Sequence, residues 1–269
     1  MGIYDSIGMQ KEYNIINEHL GVKEINPFED KDAFKNSISL GLDNCIEKDT
    51  KMSYLVLKVT SELVYFYLDV ISSEGVEFDD VWNIFLDNQY QLLKSNKEII
   101  FQSISLDRKI ENFKDEIDKE DIITSCKKRY QDLVESSGKK ISLLMKISNV
   151  AEVKYTFNDI NGRIFDKINA LKRESELPFI RESINRFIRN KIGHFDFCYD
   201  NVNNCFKGIN GNFICSLKDF IEYNIDIAAI EYGFFNSINI LTLLIIQEVE
   251  FAKEYMEKIE QYLFMKVSD

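Results

Sequence analysis

Proline occurs twice in 269 residues, at Pro27 and Pro178. A proline removes a backbone donor and clashes with the preceding helical turn. A chain nearly free of it can therefore run long helices without interruption. Eleven glycines are also few, Leu, Ile, Lys and Glu abound, and such a composition favours helix. Residues 51–71 are dense in apolar side chains, among them Leu55, Val59, Leu63 and Phe66. Their β-branched members would suit a strand, but the length and the lack of breakers predict a buried helix. Ser72-Ser73-Glu74-Gly75 should end it. Further helices are expected over 78–93, with Trp82 in the core, over 98–120 and over 121–134. The last of these should close at Ser136-Ser137-Gly138.

Pro178 restarts the chain for another helix, a role that suits proline at a first turn. Ser216 is positioned to cap a helix reaching about residue 235, and 238–265 forms the last one. Residues 1–50 read as short helices and turns, with His19 isolated near Gly21. No internal repeat is present. A weak boundary divides a helical region 1–135, of unassigned role, from 136–269; one continuous bundle fits the same pattern.

Charge narrows the function. The net charge is −12, which argues against broad coating of nucleic acid. The stretch 163–191 departs from this, with eight basic residues against four acidic ones. Any phosphate contact is therefore expected locally. Lys127-Lys128-Arg129 and Lys139-Lys140 could add to it, although short basic runs also make ordinary wet surface. Five cysteines without a tight framework suggest reduced thiols and a cytoplasmic protein. Cys198, Cys205 and Cys215 lack the CxxC pairing of a zinc site, so neither metal nor cofactor is expected. Residues 1–10 lack the pattern of a signal peptide, and no uncharged run is long enough to span a membrane.

Chemistry concentrates in Arg189-Asn190-Lys191-Ile192-Gly193-His194. A guanidinium grips phosphate through a fork of donors. An imidazole gives or takes a proton near neutral pH, and an amide orients a neighbour without adding charge. Together they suit metal-free cleavage of an RNA phosphodiester, with Arg189, Asn190 and His194 as the reacting set. Glu182, Arg186, Asn190 and His194 recur every four residues and would line one helical stripe. Arg186 and Lys191 are thereby candidates for substrate binding. Gly193 would let the backbone leave the helix and swing the His194 ring round. The same residues also fit a structural role, with Arg189 paired to a carboxylate and His194 capping a helix.

Arg, four residues and His, placed after an apolar helix and before a turn at residues 208–212, resembles the HEPN family. The resemblance is firm over 178–235. It implies an all-α, up-and-down multi-helix bundle of HEPN type with a small β-hairpin after the motif. It further implies a metal-independent endoribonuclease that forms a 2′,3′-cyclic phosphate, acting as a homodimer in toxin or antiviral systems. RNA, a second copy and a neutralising antitoxin or sensor protein are the partners it suggests. Members modified on a tyrosine carry it two residues after the histidine; Asp196 stands there, so that regulation is not expected. The alternative is a non-catalytic helical module that binds nucleotide, RNA or a protein.

Overall fold

A computed structural model describes residues 25–113 and 116–268. His19 and the turns expected before residue 25 lie outside these residues. Ten helices and one three-stranded antiparallel sheet form the described residues. The scarcity of breakers is thus realised as a mostly helical fold.

The first helix, α1 (Lys31–Lys48), is a single 18-residue element where short pieces were expected. The Asp30 side chain accepts from the Ala33 N–H at its start, and Ile38 and Leu42 are buried one turn apart. Helix α2 (Lys51–Ile71) follows, capped by Thr50, with Leu57, Val59 and Leu63 fully buried. Burial along almost its whole length explains why its apolar pattern resembled a core strand.

Three expected breaks are absent from the next two helices, at 94–97, 120/121 and 136–138, while the helix expected over 98–120 is divided between Glu111 and Glu116. Helix α3 (Phe78–Glu111) runs straight through residues 94–97, which are polar but contain neither glycine nor proline. Helix α4 (Glu116–Ala151) runs through Ser136-Ser137-Gly138. These small residues serve close packing instead. A Cβ on Gly138 would lie 3.4 Å from Ile164, and Ser136 donates to Glu231 at 2.9 Å. The 135/136 boundary falls inside α4, and one hydrophobic core includes residues from both sides of it.

Three short helices, α5 (Phe157–Asn161), α6 (Ile164–Arg173) and α7 (Pro178–Glu182), lead to the motif helix α8 (Arg186–Gly193). The expected hairpin is a three-stranded meander, β1 (Cys198–Asp200), β2 (Cys205–Lys207) and β3 (Phe213–Ser216). Helix α9 (Leu217–Ile245) opens on a Ser216/Asp219 capping box, and α10 (Val249–Ser268) ends the described chain.

Helix α9 passes residue 235 without ending, and it packs along α2. A Cβ on Gly233 would sit 2.6 Å from Val59, so only glycine permits this approach. Ile240, Leu241, Leu243 and Ile246 are all buried within the chain. Their apolar surface is spent inside this chain. By length and composition α9 could cross a membrane, but 67% of its apolar window is buried inside the fold.

The segment before the motif rests on α2. Lys58 Nζ lies 5.2 Å from the centre of the Phe179 ring. Burial pushes the neighbouring Glu62 carboxyl from near 4.5 up to about 7, against the pull of the Phe179 backbone, Lys58 and Arg181. A carboxyl raised in the folded state stabilises most below its unfolded value and loses that contribution as pH rises through the folded one. Glu62→Gln is therefore expected to melt above wild type at pH 8, by about 1–3 kcal/mol in stability, with the gap closing near pH 5. Parallel melting curves across that range would refute this.

Candidate functional site

Helix α8 starts at Asn185, whose side chain accepts from the Ile188 N–H at 3.1 Å. This cap breaks the expected stripe: Glu182 belongs to α7, and residues 183–185 separate it from Arg186. Ile188 and Ile192 are buried and fix the inward face of α8. Helix α4 secures both ends of the motif. Tyr130 donates to the Asn185 carbonyl at 3.3 Å, and Lys127 donates to the Phe197 carbonyl at 3.4 Å. With that face inward, a rotation of ~100° per residue turns Arg186, Asn190, Gly193 and His194 outward and puts Arg189 on the flank.

The helix ends in a Schellman turn. Asp196 N–H donates to the Lys191 carbonyl at 2.8 Å, and Phe195 N–H donates to that of Ile192 at 3.0 Å. The left-handed residue is Phe195, with φ +58°. Gly193 remains helical, so the swing assigned to it belongs two residues later. His194 is the C-cap and is exposed. Its imidazole makes no hydrogen bond or ion pair among the described residues. The Phe195 side chain is 86% exposed, so no burial offsets the strain of its backbone, which is of order 1–3 kcal/mol.

Arg189, Asn190, His194 and Arg186 line one cleft of about 710 Å³. Glu135 and Lys139 of α4 form a second wall, and Arg163, Phe165, Asp166 and Lys167 at the start of α6 form a third. Five cations against two carboxylates give this surface a positive charge within an acidic protein. Arg189 Nη2 pairs with Glu135 Oε1 at 3.0 Å. The Arg186 guanidinium stacks over Phe165, 5.2 Å from the ring centre. Lys167 Nζ donates to the Gly138 carbonyl at 3.0 Å. Burial draws the Lys167 ammonium below its ordinary value, while Glu135 opposes that.

Lys191 is not in the cleft. It pairs with Asp196, whose other oxygen accepts from the Ile209 N–H, and its ammonium lies 5.6 Å from the Phe187 ring centre. Its role in these contacts is to tie the helix end to the β2–β3 turn. The neighbouring basic runs also divide. Lys128 pairs with Asp132, and Arg129 donates to Ser103. Lys139 faces the cleft while Lys140 lies in the core. Among the described residues no three His, Cys, Asp or Glu side chains gather as metal ligands.

Glu135, Arg163, Phe165 and Lys167 are site residues that no motif marks. The basic excess over 163–191 was the one signal for two of them. No family model, no curated protein and no solved structure matches this chain at a significant level.

Proposed function

We propose that the protein is a HEPN-type, metal-independent endoribonuclease. The observation that supports this is the convergence of Arg189, Asn190 and His194 with cations from three separate elements on one cleft. Phosphate contacts dominate affinity for nucleic acid, and this cleft is where an acidic protein offers them.

In this mechanism a basic imidazole removes the proton of a ribose 2′-hydroxyl. The O2′–P bond forms, the P–O5′ bond breaks, and a proton from an imidazolium goes to O5′. The products are a 2′,3′-cyclic phosphate and a 5′-hydroxyl. Arg189 stabilises the charge growing on the phosphoryl oxygens. Its pair with Glu135 is partly solvent-exposed (36% and 63%), and exposed pairs contribute only ~0–1 kcal/mol. A phosphate, bound by charge-assisted hydrogen bonds, can therefore displace the carboxylate. One copy supplies one histidine to a reaction best served by two proton-transfer groups. A two-fold dimer would provide base and acid. An enzyme that cuts RNA of its own cell needs restraint, so a role as toxin or antiviral effector, with a neutralising partner, goes with this reading.

The Arg189–Glu135 pair also favours a second reading, in which the cleft binds nucleotide or RNA without cutting it. Incubation with RNA in EDTA separates the two. The nuclease reading expects cleavage and a terminal cyclic phosphate, because Glu135 and Asp166 are too few carboxylates for a two-metal site. Activity abolished by EDTA and restored by magnesium would overturn the mechanism. Binding without cleavage would establish the second reading.

A further inference from the structure

Resting on that nuclease reading, we propose that the cleft holds two successive phosphates of an oligonucleotide. The reacting phosphate lies at Arg189 and His194, and a second docks at Arg186, Arg163 and Lys167.

The two arginines of α8 are held apart by different elements. Arg189 Nη1 lies 3.9 Å from where a Cβ of Gly193 would be. Its guanidinium therefore reaches forward along the helix, toward the His194 end. Arg186 goes the other way, onto the Phe165 ring at 5.2 Å, beside the first turn of α6. Eight residues separate Arg186 from His194, which is ~12 Å along a helix axis. With Arg189 held by Glu135 and Arg186 held by Phe165, a cleft of about 710 Å³ has room for a phosphate at each.

The docking end is the less neutralised of the two. At the reacting end Glu135 pairs with Arg189. At the other, the carboxylate lining the wall is Asp166, which accepts from the Arg163 backbone N–H at 3.2 Å. Three cations, Arg163, Lys167 and Arg186, stand around that one carboxylate, with Glu135 also acting on Lys167. The N-terminus of α6, a ten-residue helix, adds its positive dipole end to the same place. The Arg186 guanidinium occupies one face of the Phe165 ring, so at this end charge leads recognition.

The test is binding of non-cleavable 2′-O-methyl dinucleotides, one with the internal phosphate alone and one bearing a 5′- or 3′-terminal phosphate as well. A second phosphate is expected to tighten binding at least tenfold, and to steepen the salt dependence of log Kd by about 0.7. Arg186→Gln, and separately Arg163→Gln, should each shrink the affinity ratio between the two ligands. Comparing the two termini shows on which side of the reacting phosphate the docking end lies. Equal affinities for all ligands, or no binding at all, would overturn the proposal. RNA cleavage with no effect of the extra phosphate would remove the docking end and leave the nuclease reading intact. Tighter two-phosphate binding without any cleavage would establish the docking end and remove the nuclease.

Discussion

His194→Ala is expected to cut RNA cleavage by about 10²–10⁴-fold, the usual contribution of a positioned acid or base, while melting at the wild-type temperature. The imidazole is exposed, and substitutions at such positions rarely exceed ~0.5 kcal/mol. Arg189→Ala should lose about 10²–10³-fold, as removal of a transition-state donor does. Asn190→Ala should be milder, since an amide transfers no proton. A melting point lowered by several degrees with cleavage unchanged would instead assign both residues a structural role. The same variant tests the assembly. In an equal mixture with wild type, after subunit exchange, a shared two-histidine site keeps about a quarter of the activity. Retention of half would mean that each copy works alone.

The largest effect on stability is expected at a buried ion pair one turn from the cleft wall. Lys140 and Glu231 are 1% and 0% exposed, and Lys140 Nζ lies 2.7 Å from Glu231 Oε2. Ser136 donates to the same oxygen at 2.9 Å, and the ammonium lies 5.3 Å from the ring centres of both Phe234 and Phe235. Glu231 Oε1 has no hydrogen-bond partner among the described residues. Burial draws the Lys140 ammonium below its ordinary value, and Glu231 pulls it back. Lys140→Met leaves a carboxylate alone in the core and should cost about 3–5 kcal/mol in denaturant unfolding. Lys140→Met with Glu231→Leu should recover most of that loss, because the desolvation penalty goes with the charges. Additive losses in the double variant would show that the pair is not coupled.

The sequence exposes features that depend on neighbours along the chain, and hides those that depend on neighbours in space. Low proline, the Ser216 cap and the turn after residue 207 are local, and the structure contains them. The Arg189–His194 hexapeptide is local too, and four of the five residues read as its site share one cleft. The stripe through Glu182 and Arg186 is broken by Asn185, whose capping bond to Ile188 N–H matters only once the chain has turned. Ser136-Ser137-Gly138 has the composition of a break. Its use as a close contact to Ile164 and Glu231 is set by α6 and α9, which lie far along the sequence. Lys139 and Lys140 are chemically alike, and only the packing of α4 sends one to the cleft and the other to the core. Lys191 was drawn away by Asp196, a pairing across a helix end that periodicity does not encode.

That alternation along α4 has a bearing on how the gene can change. Glu135 and Lys139 look outward, while Ser136 and Lys140, also four apart, look into the core. A codon inserted or deleted between them would rotate all that follows by ~100° about the helix axis. It would move Lys140 away from Glu231 and Lys139 out of the cleft at the same time. Point substitutions change the cleft wall one side chain at a time, whereas a change of length through 135–140 disturbs cleft and core together; the connections around α5, α7 and the sheet carry no such double register.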